Sequence, residues 1–241
     1  GPQKVAAGVF TSNRFQAAPV VWSIDVLTEP TLDAVVLNSG GANACTGADG
    51  LADATAMAEA TASALGTDPR QVAVCSTGLI GVRLPMDAVR SGITAAAAAL
   101  ATDGGADAAL GIMTTDTVPK QAAFTSEGGW TIGGMAKGAG MLAPALATML
   151  VVLTTDADLT PADAGAALRQ ATKYSFDRLD SDGCMSTNDT VILLASGASG
   201  VSPDVPEFTE QLTQVCASLA KQLLADAEGA SHDISVTVVN A

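Results

Sequence analysis

Histidine is almost missing from this chain: His232 is the only one in 241 residues, so a metal site built on imidazoles cannot be assembled. Cations are scarce as well. Eleven Lys and Arg stand against 25 Asp and Glu, and the net charge of −14 argues against nucleic acid or an anionic membrane as a partner. Aromatics make up 3% of residues while apolar residues make up 48%, so the core must be built from Ala, Val, Leu and Ile. Cys45, Cys75, Cys184 and Cys216 stand far apart with no Cys-x-x-Cys pair. They read as free, mostly buried thiols of a reducing compartment rather than a disulfide framework. The chain starts Gly1-Pro2-Gln3-Lys4-Val5, without the charged-then-apolar pattern of a secretory leader, and reads as cytoplasmic. Neither a P-loop lysine nor a Gly-x-Gly-x-x-Gly fingerprint is present.

What is present is an alternation of short apolar runs with Ala-rich stretches, which predicts an α/β fold of one large or two small domains. Val5 to Val9 and Pro19 to Ile24 read as short strands around a turn at residues 11–14. Asp33 to Asn38 and Val72 to Cys75 read as buried strands, and Gly50 to Leu65 and Pro85 to Ala101 as helices. Gln121 to Phe124 and Trp130 to Met135 read as a hairpin turning at residues 126–129. Met149 to Leu153 and Val191 to Ala195 are continuous apolar runs suited to fully buried strands. Thr160 followed by Pro161 opens a helix through Thr172, and a further amphipathic helix covers Glu207 to Ala227. Ile234 to Val239 alternates enough to be a last strand.

The most informative stretch is 136–150. From Gly138 to Thr155 there is no charge, and glycines and Pro144 interrupt the apolar run. It barely reaches bilayer length and carries Gly, Pro and Thr, which makes a poor membrane span. Composition alone gives a buried helix or strand with a Gly-rich approach. A second reading concerns Thr148, which follows the small Ala147. Its hydroxyl can attack the preceding carbonyl, and hydrolysis of the ester leaves Thr148 as an N-terminal nucleophile with its own α-amine as base. Elsewhere, the glycines of Asn38-Ser39-Gly40-Gly41 can aim backbone N–H groups at one anion, or simply form a strand-to-helix turn. Ser76-Thr77-Gly78 ends a strand with donors suited to an oxyanion, or caps a helix. Asp180, Asp182 and Asp189 invite a calcium reading, but their order lacks the EF-hand spacing and terminal Glu.

The stretch around Thr148 resembles the ornithine acetyltransferases, the bifunctional glutamate N-acetyltransferases of arginine biosynthesis. Their motif Lys-Gly-x-Gly-Met-x-x-Pro-x-x-Ala-Thr-Met-Leu is met at every fixed position by Lys137, Gly138, Gly140, Met141, Pro144, Ala147, Thr148, Met149 and Leu150. Further phrases agree along the chain, among them Asn38 to Ala44, Ser76 to Gly81, Ile112 to Lys120, Ser186 to Thr190 and Asp226 to Gly229. The resemblance implies a layered sandwich of sheets and helices, with one catalytic unit over 1–241 cleaved into 1–147 and 148–241. It implies Thr148 as nucleophile, Thr77 and Gly78 as oxyanion hole, and Thr114, Lys137, Thr148 and Glu228 as substrate contacts. Lys137 and Thr114 would hold a substrate α-carboxylate and Glu228 a cationic amine.

The implied reaction moves acetyl from N2-acetylornithine to glutamate, releasing ornithine, with acetyl-CoA as a further donor and no metal or prosthetic group. The implied assembly is a heterotetramer of two α and two β chains, without nucleic acid or membrane. The family chains begin earlier and run further than this sequence, which implies a truncated member, and Ser231-His232 replaces the usual Thr-Lys. An N-terminal-nucleophile aminopeptidase or amidohydrolase, or a non-catalytic amino-acid-binding relative, are the alternatives.

Overall fold

A computed structural model describes residues 1–141, 149–232 and 234–239. Two sheets lie face to face between two helical layers. The larger sheet has the order β1 (Val5–Phe10), β7 (Thr190–Ala195), β6 (Leu150–Thr155), β5 (Thr131–Lys137) and β4 (Lys120–Thr125). Only the β6–β7 pair in it is parallel; β1, β5 and β4 join antiparallel. The smaller sheet pairs β2 (Ala34–Gly41) with β3 (Val72–Leu79) in parallel. Because β6 and β7 are covered on both faces, their sequences are continuous apolar runs rather than alternating ones.

On the outer face of the larger sheet, Trp130, Ile132, Val151, Leu153, Val191 and Leu193 pack against two helices, α5 (Pro161–Lys173) and α6 (Val205–Ala225). Trp130 stacks at a tilt against Phe124 and Phe208, which concentrates much of the scarce aromatic content in one place. The inner face carries Ala6, Leu150 and Ile192 onto Ala73 and Cys75 of β3. The alternate residues of β3, Val72 and Val74, face Met57, Ala58 and Ala62 of α2 (Gly47–Leu65) and Ile93 of α3 (Met86–Ala98). A sequence period of two thus welds β3 to both neighbours.

The free edge of β3 is closed by α1 (Ala18–Val26), where the sequence reading expected a strand at Pro19 to Ile24. The β-branched residues there suggested extended chain. Instead Pro19 sits in the first helical turn, and Val20, Ser23 and Val26 recur at helical spacing as the buried face. Ser23 Oγ donates to Val74 O at 2.8 Å and accepts from Val74 N–H at 2.9 Å, while Trp22 Nε1 donates to Val72 O at 3.0 Å. Side chains of a helix therefore take the bonds a further strand would have made.

Other expectations hold with small shifts of boundary, including the hairpin β4–β5 and the Thr160 cap, whose hydroxyl accepts from Asp163 N–H at 3.2 Å. A short helix that the sequence reading did not assign, α4 (Gly105–Gly111), follows α3. Ile234 to Val239 forms no strand: these residues are exposed and pair with no neighbour among the described residues, and a strand without a partner has nothing to satisfy its backbone. Of the four thiols only Cys75 and Cys216 are buried, each pushed up to about 12 by desolvation; Cys45 and Cys184 are exposed. No helix among the described residues is long and apolar enough to cross a membrane.

Candidate active site

Three strand ends and one loop converge. β3 delivers Thr77 and Gly78 at its C-terminal end, opposite Ser39 and Gly40 of β2 in register. β5 ends on Lys137, which pairs with Leu150, the second residue after Thr148. The loop after α4 brings Thr114 and Asp116. Lys137 Nζ donates to Thr114 Oγ1 at 2.7 Å and to Thr77 Oγ1 at 3.1 Å, and it stands 3.6 Å from Asp116 Oδ2. A hydroxyl that accepts from an ammonium keeps its own hydrogen for another acceptor, and the charge behind it makes it a stronger donor.

Gly78 has a φ of +128° and no room for a side chain, because a Cβ there would collide with the Gly40 carbonyl. This is the close approach that the glycines of Asn38-Ser39-Gly40-Gly41 permit. Thr77 lies within a strand and is no helix cap; α3 starts at Met86 behind Pro85. A cavity of about 600 Å³ between β2 and α3 borders Ser39, Gly40, Gly41 and Leu79 but not Thr77, Thr114 or Lys137, so it flanks this cluster rather than containing it.

Beneath the hydroxyls lies a buried chain of charge that the sequence reading did not pick out. Lys120, fully buried, donates to Asp116 Oδ1 at 2.7 Å and to Asp226 Oδ2 at 2.6 Å. Asp116 also accepts from Gly138 N–H at 2.6 Å and Thr114 N–H at 3.1 Å; Asp226 accepts from the Thr117 N–H and hydroxyl. Two ammonium and two carboxylate groups thus balance in one dry network. Burial pushes Asp116 upward, but Lys120, the two backbone N–H groups and the charge of Lys137 outweigh it and hold the carboxyl below its usual range. Desolvation lowers Lys137 despite the opposing pull of Asp116. The available signal was local: Asp116 and Lys120 lie inside the phrase Ile112 to Lys120, and Asp226 opens the phrase Asp226 to Gly229.

Residues 142–148, and with them Pro144, Ala147 and Thr148, lie outside the described residues. Aspartates hold the backbone on both sides: Asp116 takes Gly138 N–H, Asp182 takes Met141 N–H at 2.7 Å, and Asp189 takes Met149 N–H at 3.0 Å. Glu228 is exposed, donates its backbone N–H to Ala139 O at 2.6 Å, and lies with its carboxylate against Gly140. No hydrogen bond joins its side chain to the hydroxyl cluster among the described residues. Asn188, also unassigned by sequence, ties the layers together by donating to Ala42 O at 2.7 Å and Ser76 O at 2.9 Å.

Comparison with known proteins matches the ArgJ family model over residues 1–241. The chain belongs to the ArgJ family. It is 62% identical over 241 residues to the arginine biosynthesis bifunctional protein ArgJ of Streptomyces coelicolor and 61% identical to that of Thermobifida fusca, covering all of this chain and 63% of each relative. The chain thus spans under two thirds of the length of the curated relatives it matches. Among solved structures, an ornithine acetyltransferase from Mycobacterium tuberculosis complexed with ornithine is 54% identical, with a TM-score of 0.59 over 62% of this chain and 80% of that one. The L-aminopeptidase D-Ala-esterase/amidase from Ochrobactrum anthropi, described as a variant of the Ntn hydrolase fold, has a TM-score of 0.54 at 15% identity, covering 95% of this chain and 76% of that one. That likeness concerns fold alone, and it agrees with the two sheets between helical layers seen here.

Proposed function

We propose that this ArgJ chain carries the acetyl-transfer site for moving acetyl from N2-acetylornithine to glutamate, with Thr148 as the acyl carrier. The observation that carries the reading is the Lys137 ammonium bound to both the Thr77 and Thr114 hydroxyls, in a strand paired with the one that follows Thr148. Membership of a family whose relatives are named for arginine biosynthesis, and a relative solved with ornithine, support the substrate class.

Self-cleavage between Ala147 and Thr148 frees the α-amine that serves as base. Thr148 Oγ then attacks the acetyl carbonyl, its proton passing to that amine. Thr77 Oγ–H and Gly78 N–H take the negative charge that develops on the carbonyl oxygen. The C–N bond breaks, ornithine leaves with the proton, and the ester remains on Thr148. Glutamate's neutral amine attacks that ester and gives up a proton to the Thr148 α-amine; the C–O bond to Thr148 Oγ breaks, Oγ takes that proton back, and N-acetylglutamate departs. Lys137 is 3% exposed at its side chain, so a substrate carboxylate meets its charge through the Thr114 hydroxyl. Glu228, whose exposed carboxylate lies beside Gly140, meets the cationic amine of the substrate in this reading.

Acetyl-CoA as a further donor, a heterotetramer of two α and two β chains and a cytoplasmic location belong to the same proposal. Incubating the intact protein with N-acetylornithine, with and without glutamate, tests it. Transfer is expected only with glutamate. Release of free acetate regardless of glutamate would favour the hydrolase reading.

A further inference from the structure

Asp226 stands two residues before Glu228, at a place where its own helix gains nothing from it. It caps the C-terminal end of α6, where an anion opposes the helix dipole and a carboxylate cannot donate to the orphan carbonyls. Its bonds go to another part of the chain. Oδ2 accepts from Lys120 Nζ at 2.6 Å and from Thr117 N–H at 2.9 Å, and Oδ1 accepts from the Thr117 hydroxyl. The loop gripped in this way is the one that carries Thr114 and Asp116. Lys120 completes the link by donating to Asp116 at 2.7 Å, and Asp116 takes the N–H of Thr114 at 3.1 Å.

Past Asp226 the chain turns at once. Ala227 is buried in the core, Glu228 donates its N–H to Ala139 O at 2.6 Å, and Ala230 donates its own to Ala227 O at 3.1 Å. Gly229 has a φ of +74°, the left-handed conformation that such a turn needs and that glycine adopts without strain. The Glu228 carboxylate is exposed beside Gly140 and makes no side-chain hydrogen bond among the described residues, so its aim is set by the backbone that carries it. That backbone is anchored on one side by Asp226.

We propose that Asp226 is a positioning residue for Glu228 and, through it, for recognition of the acetyl donor. The inference rests on the reading of Glu228 as the contact for the substrate's cationic amine and of Thr114 as the contact for its α-carboxylate. In N2-acetylornithine the α-nitrogen is acylated, so the cationic amine is the one at the end of the side chain. The bridge from Asp116 through Lys120 to Asp226 then fixes the spacing between the groups that meet the two ends of one donor. Glutamate has no side-chain amine for Glu228 to meet. A displaced Glu228 therefore weakens the donor half-reaction and spares the acceptor one.

The test is ping-pong kinetics of the intact protein, with N-acetylornithine and glutamate varied in turn and rates taken per cleaved chain. Wild type, D226N, E228Q and the double variant are compared. D226N should lower kcat/KM for N-acetylornithine by about tenfold or more, as a misplaced contact does. It should leave kcat/KM for glutamate within about threefold, since each value reads one half-reaction. E228Q should show the same split, and adding D226N to it should cost less than about twofold more, because one residue acts through the other. A thermal melt shows which variants fold; in D226N, Gln222 still ties α6 to β4 by two bonds to the Gln121 backbone.

Equal losses for both substrates would reduce Asp226 to a charge partner of Lys120 and overturn the proposal. An unchanged donor value in D226N, or fully additive losses in the double variant, would overturn it too. If D226N does not fold, T117V decides, because it removes the hydroxyl bond to Asp226 and keeps every charge. A donor-specific loss in T117V supports the assignment, and unchanged kinetics overturns it. E228Q with wild-type donor kinetics would instead remove the reading of Glu228 beneath the proposal, and the proposal with it, while transfer through Thr148 would stand.

Discussion

Thr77 and Asp116 do different work although one lysine touches both. Thr77 accepts from Lys137 and keeps its hydrogen for another acceptor; in the proposed route that acceptor is the substrate oxygen, so Thr77→Ala should cost about a hundred- to a thousandfold in kcat. KM should change little, because the oxygen is fully charged only in the transition state. Steady-state kinetics check this; an unchanged kcat would take the hydroxyl out of the oxyanion hole and leave only the Gly78 N–H. Asp116 instead neutralises Lys120 and Lys137 in a site closed to water. Asp116→Ala leaves two buried ammonium groups with Asp226 as their remaining carboxylate, and should cost about 3–5 kcal/mol at neutral pH. The sign with pH follows from the depressed carboxyls of Asp116 and Asp226. Each stabilises the fold above the unfolded carboxylate range near about 4, and that contribution is lost as pH falls through the lower folded values. Urea melts of wild type and variant at pH 7 and pH 3 should show the gap narrowing in acid; an equal gap at both would contradict the pairing. These residues were unevenly legible. Thr77, Thr114 and Lys137 stood inside recognisable phrases, and so did Lys120 and Asp226, but the bridge between these two joins residues 106 positions apart, a pairing that no local pattern encodes.

Among the elements, α1 shows where local propensity loses to packing. Val20, Val21 and Ile24 favour extended chain taken one at a time, but the helix they form gives Ser23 to both backbone groups of Val74. Ser23→Ala should strand a buried N–H and C=O and cost about 1–3 kcal/mol. Calorimetric melts test this, and an unchanged Tm would mean β3 needs no edge cover. The hairpin and the helices α2, α3, α5 and α6 were legible because caps, turns and Ala-rich periodicity act over a few residues. The absent strand at Ile234 to Val239 was misread because alternation specifies a face, while a strand also needs a neighbour to bond.

At the scale of the molecule, the two sheets bring distant segments to one place: β3 lies over β6, β5 beside it, and the loop carrying Asp189 at its N-terminal end. Face-to-face packing of this kind is what allows residues 77, 114, 137 and 189 to surround the start of a single strand. The α/β class was legible from apolar runs alone. The layering was not, because alternation along β3 says that both its faces are covered without saying by which element. The central claim is that acetyl rests on Thr148 between donor and acceptor. Brief incubation of the intact protein with N-acetylornithine alone, followed by peptide mass spectrometry, measures it directly. The account predicts one acetyl group on the fragment that begins at Thr148, removed when glutamate is added and recovered as N-acetylglutamate. N-acetylglutamate formed at the same rate with that fragment never acetylated would contradict it.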